Sequence, residues 1–196
     1  MRAIVSIITP IFNSERFIKS TIKSVLAQTY GNWEMIIIDD ASTDGSYEIV
    51  KSFATKDERI RFIKLDFQQG PAVARNKGIK ASYGRYIAFL DSDDLWMPEK
   101  LEKQLEFMDD HKASFSFTAY QKIEENGKYR GQVNINKMQI GYSDLLKTNH
   151  IGCLTAMIDT KLLGGKLYMP LIEKRHDHGL WLSILKQGYT AYGLNE

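Results

Sequence analysis

The 196-residue sequence contains one cysteine, Cys153, and only four prolines. A single thiol cannot form an internal disulfide, and it excludes the cysteine sets of zinc ribbons and iron–sulfur clusters. No apolar run approaches the roughly 18 residues that span a bilayer. Basic and acidic side chains nearly balance, 26 against 24, so the composition gives no sign of nucleic-acid binding. These absences predict one ordinary globular domain in a reducing compartment.

Two glycine motifs that cradle phosphates are also absent. No two glycines stand two residues apart, which excludes the G-x-G-x-x-G dinucleotide fingerprint, and there is no Walker loop. If the protein binds a nucleoside diphosphate, the phosphate charge must be met in another way. A divalent cation held by carboxylates is the obvious alternative.

Short apolar runs alternate with segments of helical periodicity through the first half of the chain. The pattern predicts strands at 5–9, 34–38, 60–65, 86–90 and 114–120, with helices at 14–26, 46–53, 70–81 and 98–108. We expect Pro10 to end the first strand and Asp44 or Ser46 to cap the second helix. Repeated strand–helix–strand units predict an α/β fold with a parallel sheet covered by helices on both faces.

The second half is less regular. Residues 121–150 are polar and predict a hairpin or a mobile loop, followed by a strand at 154–158, a helix at 176–186 and a strand at 189–194. Because the sequence ends just after an apparent strand, we expect a domain trimmed at its C-terminus.

Acidic residues follow two of the strands, at the sheet edge where ligands of such folds bind. Asp91-Ser92-Asp93 follows the fourth strand, and it is equally consistent with a metal site and with a turn that caps the next helix, a role open to Asp94 as well. Asp39-Asp40 follows the second strand and suits either a turn or hydrogen bonds to a base and a ribose. Arg75 belongs near the same edge, or on a solvated helix face.

The tripeptide His176-Asp177-His178 suggests zinc only superficially. Residues two apart do not share a helix face, and no third ligand at suitable spacing follows. Asp177 precedes Leu180-Trp181-Leu182 at a predicted helix start. It is therefore an N-cap or a general base, and spacing alone does not separate the two.

Five ordered segments together resemble the family 2 inverting glycosyltransferases, which have the GT-A fold. The segments are Val5–Asn13, Ser24–Tyr30, Ile38–Asp44, Gly70–Gly78 with Ala74-Arg75-Asn76, and Phe89–Pro98. The resemblance implies a Rossmann-like, mostly parallel, twisted sheet in a single GT-A domain over residues 1–196. Residues 1–97 are then the nucleotide-binding half, and residues 98–196 are the acceptor-side half.

The resemblance also implies roles for individual residues. The nucleotide-binding positions are Thr9, Pro10, Asn13, Asp39, Asp40, Arg75, Asp91 and Ser92. Asp93, with Asp91, is implied to bind Mn²⁺ or Mg²⁺, and Asp177 matches the catalytic base. His176 stands where the family usually has glutamate.

The implied activity is metal-assisted transfer of a hexosyl or N-acetylhexosaminyl group, with inversion, from a nucleotide sugar to an acceptor hydroxyl. A UDP-sugar donor is expected, with a glycan or lipid-linked glycan acceptor, in surface polysaccharide or glycolipid synthesis. The expected place is the cytoplasm, with peripheral association at the inner membrane face. The principal alternative is a nucleotide-sugar-binding domain that is inactive or incomplete. A phosphoryl-transfer enzyme of D-x-D-x-T type is disfavoured because Leu95 occupies the fifth position of that motif.

Overall fold

The computed structural model of the protein describes residues 5–196, so residues 1–4 of the predicted single domain lie outside the described part. The first half alternates strands and helices as the periodicity predicts. Its elements are β1 (Val5–Ile11), α1 (Ile18–Leu26), β2 (Trp33–Asp39), α2 (Ser46–Ala54), β3 (Ile60–Lys64), α3 (Pro71–Ala81), β4 (Tyr86–Phe89) and α4 (Lys100–Asp110).

The second half contains shorter elements and more turns. They are β5 (Phe115–Thr118), β6 (Tyr120–Ile123), β7 (Tyr129–Val133), β8 (Gln139–Ile140), α5 (Tyr142–Leu145), β9 (Met157–Asp159), α6 (His176–Lys186) and β10 (Ala191–Leu194). A short 3₁₀ turn, Cys153–Thr155, precedes β9. None of the helices in residues 5–196 is long and apolar enough to cross a bilayer.

Eight strands form the main sheet, in the order β3-β2-β1-β4-β9-β5-β10-β8. The pairs β1–β2, β2–β3, β1–β4 and β5–β10 are parallel, whereas β9 pairs antiparallel with both β4 and β5. The predicted α/β class is therefore confirmed, and the sheet is mixed because β9 and β8 run against their neighbours. β6 and β7 form a separate antiparallel hairpin.

Buried side chains lie on both faces of this sheet because alternate residues of a strand point to opposite sides. On one face, Ile8 and Phe89 belong to a core cluster that includes Ala74 of α3 and Trp181 of α6. On the other face, a second cluster packs α1, α2 and α4 against residues such as Ile37. The two-sided burial explains why β1, β2 and β4 consist mainly of apolar residues, whereas the edge strand β3 does not.

Several local predictions are wrong, for identifiable reasons. β1 continues through Pro10 to Ile11. A proline has no N–H to donate to a neighbouring strand, but β4 pairs with β1 only as far as Ile8, so no hydrogen bond to β4 is lost at Pro10. The α2 N-cap is Gly45, while the Asp44 carboxylate accepts the N–H of Ser46 at 3.0 Å.

Three further boundaries differ from prediction. α1 begins at Ile18, because the four residues before it form a turn. The predicted strand 114–120 is two strands in two sheets, β5 and β6. The predicted strand 154–158 is strand only from Met157, because Leu154 and Thr155 belong to the 3₁₀ turn.

Gly78 allows α3 to approach the sheet closely. A methyl group at this position would lie 2.6 Å from Ile38 Cδ1 and 2.6 Å from Ile8 Cγ2. Overpacking costs about 1–3 kcal/mol, which exceeds the roughly 1 kcal/mol that alanine gains over glycine in a helix. We therefore expect Gly78→Ala to lower the melting temperature by several degrees in a thermal melt. Gly31→Ala, at a site with no atom within 4 Å, is the matched control and should leave it unchanged.

Candidate active site at the carboxyl edge of the sheet

The carboxyl ends of β2, β1 and β4 are adjacent in the sheet, so the polar residues that follow these strands meet at one edge. Asn13 follows β1 with a positive φ of 48°. Its side-chain oxygen accepts the N–H of Thr43 at 2.9 Å, and its own N–H donates to Ser42 Oγ at 3.0 Å. These bonds tie the loops after β1 and β2 together, so Asn13 shapes the edge on which a ligand would lie.

Asp39 and Asp40 have different surroundings although they are consecutive. The two oxygens of Asp40 accept the backbone N–H groups of Gln69 and Gly70, each at 2.7 Å. One oxygen of Asp39 accepts the N–H of Ser42 at 2.9 Å, and the other is buried with no partner in the part of the chain that the structure describes. Asp40 therefore fixes the loop that leads into α3, and Asp39 keeps a free acceptor.

The hydroxyl oxygen of Thr9, in β1, is also buried without a partner among the described residues. Buried polar groups are normally hydrogen-bonded, so two such atoms near the end of neighbouring strands indicate a place for a polar ligand. Thr9 and Asp39 were both predicted at a nucleotide site, and the strand register brings their ends of β1 and β2 together.

Arg75 is the central cation of the site. Its guanidinium, 6% exposed, donates to Asp91 and lies 3.1 Å from Nε2 of His176. Burial alone would lower the pKa of Arg75, but the Asp91 carboxylate, aided by Asp177, raises it above the usual value. Within residues 5–196, the Nε atom of Arg75 has no hydrogen-bond partner. The reading of Arg75 as part of a solvated helix face is therefore wrong.

The residues 91–94 form a turn in which the N–H of Asp94 donates to the Asp91 carbonyl at 3.1 Å. Ser92 fixes this turn, since its hydroxyl lies 2.8 Å from that of Ser14 and its carbonyl accepts Thr21 Oγ1 at 2.7 Å. The capping alternative is excluded because α4 begins at Lys100, with Glu99 as N-cap and no side-chain capping bond.

Three carboxylates crowd together on this turn. Burial, together with the charges of Asp91 and Asp93, raises the pKa of Asp94 to about 7. Asp93 is exposed to solvent. Among the described residues no group of three or more His, Cys, Asp or Glu side chains forms a complete metal cage. The turn fits an Mg²⁺ or Mn²⁺ ion that takes one or two carboxylates and completes its shell with water and phosphate oxygens.

Asp177 lies in the first turn of α6, next to this cluster. The N-cap of α6 is Arg175, in the left-handed conformation with φ of 59°, so Asp177 is not the N-cap. The dipole of the helix favours an ionised carboxylate in its first turn. Asp177 is partly exposed, and its charge acts on Arg75 and on His176.

The two histidines that flank Asp177 point to different partners. Nε2 of His178 lies 3.0 Å from the Leu145 carbonyl oxygen, whereas Nε2 of His176 lies beside Arg75. A zinc site on this tripeptide is therefore not formed. Burial and the positive charge of Arg75 lower the pKa of His176, which favours a neutral ring that accepts from the guanidinium.

Two contacts that organise the site could not be predicted from local sequence patterns. Arg75 and His176 are 101 residues apart, and Ser14 and Ser92 are 78 residues apart. Cys153 was also missed as a neighbour of the cluster. Burial raises the pKa of its thiol well above the usual value, and the charges of Asp91 and Asp177 contribute to this.

Comparison with known proteins identifies relatives along the whole chain. The family model described as glycosyl transferase family 2 matches residues 6–163. A Bacillus subtilis (strain 168) glycosyltransferase, TuaG, named for teichuronic acid biosynthesis, is 47% identical over 195 residues, which is 100% of this chain and 77% of TuaG. The Escherichia coli UDP-Glc:α-D-GlcNAc-diphosphoundecaprenol β-1,3-glucosyltransferase WfgD is 42% identical, over 93% of this chain and 70% of WfgD.

Solved structures share the fold at low sequence identity. Staphylococcus aureus TarS 1–349 in complex with UDP superposes with a TM-score of 0.76 at 23% identity, covering 100% of this chain and 61% of that one. The mannosyltransferase PcManGT of Pyrobaculum calidifontis, in complex with GDP-Man and Mn²⁺, superposes with a TM-score of 0.77 at 18% identity, covering 100% of this chain and 56% of that one. The chain thus spans about three fifths of the length of these two solved structures.

Proposed function

The chain belongs to glycosyl transferase family 2 and has the GT-A fold, and on that premise we propose that it transfers a sugar from a UDP-sugar to an acceptor hydroxyl with inversion. Sugar transfer follows from the family. Our proposal adds to this the UDP donor, the metal, the inversion and the roles of single residues.

The observation that carries the proposal is the cluster that joins two distant segments of the chain. Arg75 binds both Asp91, at the end of β4, and His176, at the start of α6. A carboxylate turn suited to a cation and a partly exposed carboxylate, Asp177, therefore both act on one buried guanidinium. Sugar transfer from a nucleoside diphosphate requires these two functions near each other, one at the leaving group and one at the attacking hydroxyl.

We assign recognition of the donor nucleoside to the edge formed by β1 and β2. The free oxygen of Asp39 can accept an N–H of the base or a ribose hydroxyl, and Thr9 Oγ1 can donate or accept beside it. Asp40, Asn13 and Ser92 then shape this edge through the loops that they hold. In this proposal these three residues hold the loops of the nucleotide pocket in place rather than contact the nucleotide. The family resemblance implies a nucleotide-binding role for them and for Pro10.

Asp93, with Asp91, would hold the divalent cation, whose charge stabilises the departing diphosphate when it is bound. Asp93 is exposed and Asp91 is oriented by Arg75, so the two carboxylates are offered from a fixed turn. The unpartnered Nε of Arg75 adds a donor for a phosphate or ribose oxygen.

Asp177 would act as the general base. Its carboxylate takes the proton of the acceptor hydroxyl, the oxygen forms a bond to the anomeric carbon, and the bond from that carbon to the diphosphate oxygen breaks. A single displacement of this kind inverts the anomeric configuration and needs no covalent intermediate on the protein.

The acceptor is assigned to residues 98–196, opposite the nucleotide-binding half at 1–97. WfgD, by its name, uses UDP-glucose and a GlcNAc-diphosphoundecaprenol acceptor, and TuaG is named for teichuronic acid biosynthesis. By analogy we propose a lipid-linked glycan acceptor in surface polysaccharide synthesis. Such an acceptor would bring the protein to the cytoplasmic face of the membrane as a peripheral partner.

The proposal is tested by thermal melts with UDP, GDP, dTDP and CDP, each with and without Mn²⁺. A ligand that binds only the folded state at a hundredfold excess over Kd stabilises it by about 2.7 kcal/mol, which for this size is a shift of about 5–10 °C. We expect this shift for UDP with Mn²⁺ and a much smaller one without the metal. In the Asp93→Ala variant the metal-dependent part should disappear, whereas Asp110→Ala, which removes an exposed carboxylate at the far end of α4, should retain it.

A shift with another nucleotide would reassign the donor. No shift with any nucleotide would favour a domain without a competent donor site.

A further inference from the structure

A pocket that the proposed function does not use lies beside the candidate site. Its volume is about 760 Å³, within the range of pockets that bind small molecules. One wall continues from the carboxylate turn into Leu95, and another is the 3₁₀ turn that begins at Cys153. Since Cys153 lies near Asp91 and Asp177, the pocket and the candidate site share these two walls.

Apolar side chains form most of this pocket. They come from the segment before α4, the β6–β7 hairpin, the 3₁₀ turn and the end of β10, and are Leu95, Trp96, Met97, Ile123, Leu154 and Leu194. Met97 is 73% exposed and Ile123 is 50% exposed, although they stand at one concave surface. A surface of this kind favours an apolar ligand, because covering it removes the side chains from water.

Lys100 places a positive charge inside this apolar surface. Its ammonium donates to the side-chain oxygen of Gln104 and lies 4.3 Å from the centre of the Trp96 ring. No carboxylate lies within ion-pair distance of it in residues 5–196. Burial lowers the pKa of Lys100 to about 7. Among the described residues the ammonium of Lys100 has no counter-ion at this half-buried position, and an anionic ligand would stabilise its charged form.

Lys100 is better placed to bind an anionic ligand than the other charged groups that line the pocket. Lys103 already pairs with Glu196, whose oxygen is 2.5 Å from the ammonium. Lys23 is exposed at the rim, and Glu99 is the remaining carboxylate of the lining. The lining therefore carries three lysines and the side-chain carboxylates of Glu99 and Glu196.

We propose that this pocket binds a lipid phosphate, with the apolar chain on the Leu95–Met97 and hairpin walls and the phosphate on Lys100. An apolar chain alone would leave the ammonium unpaired, and a free phosphate alone would leave the apolar walls in water. The 3₁₀ turn Cys153–Thr155 borders both this pocket and the Arg75 cluster, so we take the lipid of the proposed acceptor as its occupant. The identification of this lipid with the acceptor rests on the proposed function, whereas the binding site itself does not.

Isothermal titration calorimetry with farnesyl phosphate, a short lipid phosphate, tests the site on the 196-residue protein. We expect binding of one molecule per chain, at least tenfold tighter than binding of farnesol or of inorganic phosphate. Lys100→Met keeps the length of the side chain and should weaken binding at least tenfold. Lys103→Met, which removes a pocket lysine that already has a partner, should change it less than threefold. Ile123→Asp, at an exposed position, should also weaken binding, because it puts a carboxylate at the mouth.

The proposal is overturned if farnesyl phosphate does not bind, or if it binds Lys100→Met as tightly as the parent. It is also overturned if sedimentation shows a dimer that Ile123→Asp dissociates, since a second copy then covers the pocket. UDP with Mn²⁺ is titrated into each variant in parallel and should bind with unchanged affinity. If the parent protein binds farnesyl phosphate but not UDP, the proposed donor is wrong and the lipid site is still supported.

Discussion

Asp177→Asn will remove sugar transfer while UDP still binds. Asparagine has nearly the same size as aspartate, but its amide cannot take the proton of the acceptor hydroxyl, and a general base contributes about 10²–10⁴-fold to a rate. The loss of a carboxylate from the first turn of α6 costs the helix at most about 1 kcal/mol, so the fold persists. The measurement is the rate of UDP release from UDP-glucose in the presence of a synthetic GlcNAc-diphospho-lipid, beside a UDP titration.

Glu173→Gln is the matched control for this variant. Glu173 is an exposed carboxylate four residues before Asp177, and it lies outside the cluster around Arg75. The Glu173→Gln variant should transfer sugar at the same rate as the parent protein. If Asp177→Asn loses UDP affinity in step with its rate, the carboxylate acts in donor binding and the assignment as base is wrong.

Arg75→Met should weaken donor binding and lower the rate of transfer with it, for a different reason from Asp177→Asn. The guanidinium binds Asp91 and approaches His176, and without it three carboxylates stand on the 91–94 turn with no buried cation beside them. A hydrogen bond to a charged group contributes about 1.5–3 kcal/mol, so the loss of this contact weakens UDP binding by about 10–100-fold at a fixed Mn²⁺ concentration. Titration of UDP measures the effect.

Three further variants test how Arg75 is positioned, one as a control at Lys77 and two at His176. Lys77→Met removes an exposed cation from the same helix and should leave UDP binding unchanged. His176→Gln offers an oxygen to the guanidinium and should retain more UDP affinity than His176→Leu, which offers none. Equal affinity of the two His176 variants would show that the histidine does not position Arg75.

The first half of the fold could be predicted because its signals are local. Buried parallel strands need apolar residues on both faces, so β1, β2 and β4 stand out as short apolar runs. The second half could not be predicted to the same extent. β9 has three residues, and its antiparallel place between β4 and β5 depends on partners about 40 and 70 residues away.

The site shows the same division between local and distant information. The carboxylates at strand ends were identified because an acidic residue after an apolar run is a local pattern. The sequence alone could not assign different roles to Asp39 and Asp40. Their roles differ because the carboxylate of Asp40 accepts the N–H groups of Gln69 and Gly70, about 30 residues away. The replacement of the usual glutamate by His176 was visible in the sequence, but its partner, Arg75, was not.

The bonds of Asp40 also affect how mutational scans of this protein should be interpreted. Asp40 fixes the loop that starts α3, and α3 carries Arg75, so its replacement would shift a cation that it never contacts. In a scan scored by nucleotide affinity alone, Asp40 and Asp39 would give the same phenotype and would both be recorded as ligands. Combining each with Arg75→Met separates them: the effect of Asp40 should vanish in that background, and the effect of Asp39 should add to it.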